Sequence, residues 1–225
     1  IGNVGNHGYI EVEATDLDLD RFNQTLQRLI ERHDMLRAVL LPDGQQQVLE
    51  HVPPFEMKIV DLRGQDSQEQ ASQLERIRRT LDHQLLPVER WPAFELWVSR
   101  LDERLVHLHL SIELIFVDAW SMNTLIQEFI RLYHEPDLFL PVPALSFRDY
   151  VLTEASLQNS ALYQRSREYW TQRLSSLPPA PDLPLASESD REEQPRFVHR
   201  EARLDKEYWQ RLKAHAGKIG LTPSG

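Results

Sequence analysis

The segment from Val106 to Ser121, VHLHLSIELIFVDAWS, constrains the fold of this chain more than any other. Alternate side chains of a β-strand point to opposite faces, so residues 106–113 predict a two-faced strand. One face carries Val106, Leu108, Leu110 and Ile112, and the other carries His107, His109, Ser111 and Glu113. The apolar stretch 114–117 then ends at Asp118, directly before a predicted helix. The apolar face should meet the core, and the polar face should meet water, a partner or a substrate.

Strand and helix patterns interleave along the rest of the chain. Strands are predicted at 8–13, 35–41, 45–50, 58–61, 94–100, 104–112 and 197–204, and helices at 17–33, 67–86, 119–134, 146–174 and 206–216. Two of these strand pairs read as hairpins, one around Asp43-Gly44 and one around Asp102-Glu103. Hairpins between helices predict an α/β (α+β) fold, with a mixed β-sheet flanked by helices.

Composition excludes several classes of function. With 25 basic and 35 acidic residues, the formal net charge is −10, which disfavours nucleic acid or an anionic membrane as a partner. The chain has no cysteine, which removes disulfides, thiolate catalysis and cysteine-bound zinc. Neither GxxxxGK[ST] nor GxGxxG occurs, and no apolar run is long enough to cross a membrane. Nothing marks a signal peptide, so a cytoplasmic location is expected.

The candidate chemical groups are the two carboxylates that flank the apolar stretch. Glu113 and Asp118 could serve as acid or base, and Ser121 could serve as a nucleophile. Plainer interpretations stand beside these: Asp118 could cap the helix, and Glu113 could be a solvated charge at a strand end. His107 and His109 have the spacing of two metal ligands but lack an evident third, so no metal is predicted. Ser121 has no readable His–Asp pair to activate it.

Arg37 lies in RHDMLR, 32–37, between apolar residues of a strand that is predicted to be buried. The charges of this segment could simply form a solvated helix end, where Arg32 and His33 suit the helix dipole. A buried arginine, however, needs a carboxylate partner. Asp118 follows an apolar stretch and needs a counter-charge as well. The sequence therefore predicts an Arg37–Asp118 ion pair with a structural role.

Together, these segments resemble the condensation-domain superfamily of nonribosomal peptide synthetases. RHDMLR resembles that family's RHExLR element. The segments LPDGQQQVL (41–49), VDLRG (60–64), FRDY (147–150) and YWTQRLSSLPPAPDLP (169–184) also resemble family sequence. The HHxxxDG motif of ordinary condensation domains is absent, because its histidine positions hold Glu113 and Leu114. ELIFVDAWS, 113–121, instead resembles the DxxxxDxxS motif of the heterocyclisation subfamily, with Glu113 in place of Asp.

The resemblance implies a fold of two lobes similar to chloramphenicol acetyltransferase, with a substrate tunnel between them. It assigns residues 1–175 to the N-terminal lobe, 176–195 to a Pro-rich connector and 196–225 to the segment leading into the second lobe. A Thr and an Asp that drive cyclodehydration in the family belong to that second lobe. This chain alone is therefore expected to be inactive.

The implied reaction joins a carrier-bound acyl thioester to carrier-bound Cys, Ser or Thr and cyclodehydrates the product to a thiazoline or oxazoline. The roles that follow are catalytic for Glu113, Asp118 and Ser121, tunnel-lining for His109, Ser111 and Trp120, and structural for Arg37 and Asp118. No cofactor is bound by the domain, since phosphopantetheine of partner carrier domains holds the substrates. The expected partners are upstream and downstream carrier domains and an adenylation domain.

Two other functions remain open from the sequence. A degenerate domain with Glu113 could act as a docking or structural module for carrier proteins. A stand-alone acyltransferase of the same fold would need a histidine at position 113 or 114, which this chain lacks.

Overall fold

The computed structural model describes residues 6–182 and 202–222. The strands are β1 (His7–Thr15), β2 (Ala38–Leu40), β3 (Gln46–Val48), β4 (Lys58–Asp61), β5 (Phe94–Arg100) and β6 (Leu105–Glu113). The α-helices are α1 (Leu19–Arg32), α2 (Ser67–Leu81), α3 (Ala119–His134), α4 (Phe147–Leu157), α5 (Ala161–Arg173) and α6 (Lys206–Lys218). Short 3-10 helices cover Asp34–Arg37 and Leu174–Ser176.

Contacts between Cα atoms divide the chain into two units, residues 4–185 and residues 186–225 with residues 1–3. All six strands named above and helices α1–α5 belong to the first unit, and α6 belongs to the second. The predicted strand at 197–204 lies largely outside the described residues, and 202–204 form no strand. The predicted connector is described only as far as residue 182, so the domain boundaries stay predictions.

Four strands form the central sheet, in the order β1–β6–β5–β4. β1 and β5 each pair antiparallel with β6, whereas β4 runs parallel to β5. Parallel neighbours need a crossover connection, and α2 lies within the one that joins β4 to β5. The sheet is mixed and flanked by helices, which confirms the fold class predicted from the interleaved patterns.

The apolar face of β6 packs into the core, as predicted. Ile112 lies opposite Phe94 of β5, and Leu110 lies opposite Leu96, so these side chains share one face of the sheet. The buried cluster on this face consists of Ile30, Phe55, Phe94, Leu96, Ile112 and Val117. Burying each such side chain contributes about 1.5–3 kcal/mol, which fixes α1 and the start of α3 against the sheet.

Helix α2 covers the polar face of β6. It begins with a capping box, in which the Asp66 carboxylate accepts the backbone N–H of Glu69 at 2.8 Å. The sequence predicts a helix as far as Leu86, but α2 ends at Leu81. The Leu86 N–H donates instead to the Glu113 carboxylate at 2.8 Å. The Leu86 amide, which a longer α2 would use in a helical hydrogen bond, is thus bound by the Glu113 side chain of β6.

The hairpin predicted around Asp43-Gly44 is present as β2 and β3. Gly44 has a φ of +82°, a conformation that glycine adopts without the strain of a Cβ. The first of its predicted strands, 35–41, is shorter than expected. Its first three residues belong to the 3-10 helix Asp34–Arg37, because the chain curls beneath the end of α1 before it extends.

Candidate active site

The apolar stretch between β6 and α3 turns the chain into the helix. Phe116 and Val117 are buried, whereas Asp118 is exposed at the N-cap of α3. The Asp118 Oδ1 accepts the backbone N–H of Ser121 and also its hydroxyl, each at 2.7 Å. These hydrogen bonds to the charged form hold the pKa of Asp118 below its ordinary value. Asp118 therefore acts as a helix cap that also orients the Ser121 hydroxyl.

The predicted ion pair between Arg37 and Asp118 is wrong. The Arg37 guanidinium binds the Asp34 carboxylate at 2.8 Å and the Ile30 carbonyl at 3.0 Å, and it also donates to the Leu49 carbonyl. Because Arg37 ends a 3-10 helix, the carboxylate three residues earlier and the free carbonyls at the end of α1 are its nearest acceptors. The carboxylate of Asp118 is used locally by the cap.

Glu113 is only 5% exposed at the end of β6. Its Oε1 accepts the Leu86 N–H at 2.8 Å and lies 3.8 Å from Nδ1 of His7, its direct partner on β1. A carboxylate in this position reaches a substrate only if the connection between α2 and β5 moves away. The geometry thus favours an architectural role for Glu113 over the acid–base role expected from the sequence.

His109 and Ser111 lie beneath α2 with no exposed surface. The Tyr9 hydroxyl donates to Glu11 at 2.6 Å, so it accepts from His109 Nδ1 at 2.8 Å. The Ser111 hydroxyl lies 2.6 Å from the Gln84 amide. Side chains with no exposed surface in this lobe cannot line a tunnel shared with another lobe, so the tunnel role predicted for His109 and Ser111 is wrong.

Burial also decides the protonation of His109. It lowers the pKa of the imidazole to about 4, because the charged ring is cut off from water. The neutral ring donates from Nδ1 and accepts the Ser99 hydroxyl at Nε2, at 3.2 Å. No group of three or more His, Asp or Glu side chains placed to hold a metal ion occurs within residues 6–182 or 202–222.

A cleft of about 300 Å³ opens beside the N-terminus of α3. One wall is the segment Arg32–Leu36 at the end of α1, and the second is formed by Phe116, Val117 and the first turns of α3. Residues 142–147 form a third wall. The cleft thus unites the segment 32–36 with the segment 116–121, which are the two motif regions of the sequence. Ser121 and the 80%-exposed Trp120 both line it.

Sequence reasoning missed Arg28 and Glu128, which hold the third wall of the cleft. Arg32 forms a two-pronged ion pair with Glu128 of α3, at 2.8 and 3.2 Å, and Arg28 donates to carbonyls of the chain that follows α3. The only available signal was weak, since Arg28 and Arg32 lie one turn apart on the same helix. Their partners are mostly backbone carbonyls, which a sequence does not reveal.

None of the helices in the described part of the chain is long and apolar enough to cross a membrane.

Comparison with known proteins assigns the class to which this fold and cleft belong. A profile of the Condensation domain family matches residues 8–222. The chain is 37% identical over 212 residues to pyochelin synthetase PchF of Pseudomonas aeruginosa, covering 93% of this chain and 12% of that protein. It is 36% identical over 224 residues to bacitracin synthase 1 of Bacillus licheniformis, covering 100% of this chain and 4% of that protein.

Solved structures agree with the sequence relatives. The cyclization-docking bidomain of EpoB from Sorangium cellulosum superposes with a TM-score of 0.84 at 40% identity, covering 98% of this chain and 45% of that one. The chain belongs to the condensation-domain family. This confirms the family predicted from the motifs, with its heterocyclisation branch, and the chloramphenicol-acetyltransferase-like lobe. The chain spans less than half the length of each of these proteins.

Proposed function

We propose that this chain is the N-terminal lobe of a heterocyclisation domain in a nonribosomal peptide synthetase. In the complete protein, the amine of carrier-bound Cys, Ser or Thr attacks an upstream acyl thioester and releases the donor thiol. The side-chain thiol or hydroxyl then attacks the new amide carbonyl, and loss of water gives a thiazoline or oxazoline. The similarity to a cyclization domain and the ELIFVDAWS motif support this assignment over a docking module.

The observation that carries the proposal is the cleft where the two motif segments meet. Residues 116–121 and 32–36 are distant in sequence, yet residues of both segments line one cavity. A condensing enzyme must hold two tethered reactants close together, and such placement supplies much of the rate. The cleft is the feature of this lobe that is open to solvent and built from both motifs.

Within the cleft, Ser121 and Trp120 are the residues proposed to contact substrate. The Ser121 hydroxyl donates its proton to Asp118, so its lone pairs remain available to accept a hydrogen bond from an amide or amine. The exposed Trp120 ring offers an apolar surface at the same cavity. Asp118 acts through Ser121. This arrangement orients a substrate and needs no covalent intermediate.

The remaining parts of the proposal concern partners and location. Phosphopantetheine arms of upstream and downstream carrier domains bring both substrates, and the domain binds no cofactor of its own. An adenylation domain in the same protein loads the downstream carrier. The synthetase works in the cytoplasm, where its acyl thioesters and amino acids are made available.

Intact-mass analysis of the carrier-bound product tests this function. The full-length protein should convert the two loaded carriers to a product that is one water lighter than the linear condensation product. Trp120→Ala should slow the reaction, whereas Tyr163→Ala, which changes an exposed ring on α5 that is not among the cleft residues, serves as the matched control. Carriers that bind without forming any product would contradict the proposal and support a docking module.

A further inference from the structure

The third wall of the cleft, residues 142–147, is the end of the stretch 136–147, here called the wall segment. Its residues 136, 141 and 143 are prolines, which lack the N–H needed for regular backbone bonding. Its apolar side chains are only partly packed: Leu138 and Leu140 are half-buried, whereas Phe139, Val142 and Leu145 are 80%, 81% and 74% exposed. Apolar packing therefore accounts for only part of what holds the wall segment beside the cleft.

Two arginines of α1 bind the backbone of the wall segment. Arg28 donates to the carbonyls of Pro136 and Leu138, at 2.5 and 2.7 Å. Arg32 donates from Nη1 to the carbonyls of Leu140 and Pro141, at 3.3 and 2.8 Å. Together they bond four carbonyls of one stretch, directly before the cleft-lining residues 142–147. A guanidinium has enough donors in a rigid fork to serve several acceptors at once.

Glu128 of α3 holds Arg32 in place for this task. Its two carboxylate oxygens accept from Nε and Nη2 of Arg32, which leaves Nη1 for the wall segment. His33 Nε2 lies 2.7 Å from the same carboxylate. Burial alone would raise the pKa of Glu128, but the hydrogen bonds from Arg32 and His33 outweigh it and keep the pKa below its ordinary value.

The geometry points to Arg28, Arg32 and Glu128 as positioning residues that fix the wall segment and so keep the cleft in one binding-competent shape. The three residues touch α1, α3 and the wall segment, and Arg32 also borders the cleft. Loss of their bonds lets the wall segment open locally, because its exposed side chains Phe139, Val142 and Leu145 contribute little apolar packing. Substrate then binds only the fraction of molecules whose wall segment is in place. The apparent affinity for substrate falls in proportion to that fraction. This inference rests on the proposed function only where turnover is the readout.

Hydrogen–deuterium exchange on the full-length protein tests the positioning directly. The amides of Leu138 and Ser146 donate hydrogen bonds within or beside the wall segment, and Arg28→Gln and Arg32→Gln should each speed their exchange by about tenfold or more, as loss of a hydrogen bond to a charged group does in a local opening. Exchange in β5 and β6 should stay unchanged. Arg21→Gln is the matched control, because Arg21 lies on the same helix but its described partners are Asp18 and the Tyr133 ring. Unchanged exchange in the wall segment, or equally faster exchange in β5 and β6, would overturn the inference.

Kinetics separate positioning from general stability. Arg28→Gln should raise KM by about tenfold with kcat within about twofold of wild type, as a lower competent fraction requires. Arg28→Lys, which keeps one donor group, should recover part of the loss.

Arg32→Gln leaves the Glu128 carboxylate without its guanidinium partner, which should lower the melting temperature. The double variant Arg32→Gln/Glu128→Gln removes that unpaired carboxylate and should regain the wild-type melting temperature. Its wall segment should nevertheless still exchange fast. Restored slow exchange in that variant would refute the role of Arg32. If wild type forms no product, the proposed function fails, while the exchange data still decide this inference.

Discussion

At the scale of single residues, Glu113 joins three parts of the lobe. Its Oε1 accepts the Leu86 N–H, and its backbone N–H donates to the Ala93 carbonyl at 3.0 Å. His7 approaches from β1 with Nδ1, since its Nε2 must donate to the carbonyl of Leu81, which only accepts. The side chain thus attaches the connection between α2 and β5 to the end of β6, next to the motif.

Substitutions at Glu113 distinguish architecture from acid–base catalysis. Glu113→Ala should lower the free energy of unfolding by about 1–3 kcal/mol, because the half-buried Leu86 N–H loses its acceptor. Glu113→Gln keeps an acceptor oxygen and should stay near wild type in both stability and product formation. Urea unfolding and product yield measure the two effects. A Glu113→Gln protein that folds normally but makes no product would restore the catalytic role.

A double-mutant cycle tests the separation of Arg37 from Asp118. Asp118→Ala removes a helix cap and Arg37→Ala removes the bonds to Asp34, Ile30 and Leu49, so the two losses should be independent. The coupling energy from urea unfolding should be zero within error. Arg37→Ala combined with Asp34→Ala provides a positive control that should show coupling. A large favourable coupling between Arg37 and Asp118 would contradict the structure.

At the scale of elements, the polar face of β6 is a buried hydrogen-bonded layer under α2. Arg78 of α2 binds the Glu11 carboxylate with two bonds, at 2.7 and 2.8 Å, and Glu11 accepts from Tyr9. Tyr9 in turn forms a hydrogen bond with His109, so the layer extends from α2 through β1 to β6. Such a network is stable only while each member keeps its protonation state.

Stability should therefore depend on His109 below neutral pH. The folded pKa near 4 lies below the ordinary value of 6.5, so the unfolded chain binds more protons between these values. The contribution is fully present above about pH 6.5 and is lost as the pH falls towards 4. Melting temperatures across this window should fall more steeply for wild type than for His109→Gln, in which position 109 no longer carries a titratable group. Parallel pH profiles for the two proteins would contradict the neutral, buried imidazole.

Sequence patterns predicted most elements, because their causes are local. The helix at 119–134 begins and ends as predicted, since its cap residue Asp118 and its apolar spacing are adjacent in the chain. The end of α2 was missed because Glu113 takes the Leu86 amide from a distance in sequence. The burial of His109 under α2 was missed for the same reason. The alternation of polar and apolar residues in β6 predicts a polar face, but it does not show which element packs on that face. Helices and strands could thus be predicted from neighbouring residues, whereas the surroundings of the site residues depend on polar contacts between distant parts of the chain.

At the scale of the whole molecule, the chain corresponds to a small part of its long relatives. It spans 12% of pyochelin synthetase PchF and 4% of bacitracin synthase 1. The cleft is bounded here by residues of the first unit alone. A reaction between two tethered substrates needs a site enclosed on all sides, to orient them and exclude water.

The isolated chain should therefore form no heterocyclic product from loaded carriers. The full-length protein under the same conditions serves as the control, and intact-mass analysis of the carriers follows both. Product from residues 1–225 alone would show that this lobe contains the complete catalytic site.

The fate of a heavy-oxygen label shows whether the full-length protein carries out heterocyclisation. The label is placed in the thioester carbonyl of the acyl donor, and the carrier-bound product is weighed intact. Ring closure expels that carbonyl oxygen as water, because the side-chain thiol or hydroxyl replaces it at the same carbon. Heterocyclisation should give a product that is one water lighter than the linear amide and has lost the label. A linear product that keeps the label would contradict heterocyclisation.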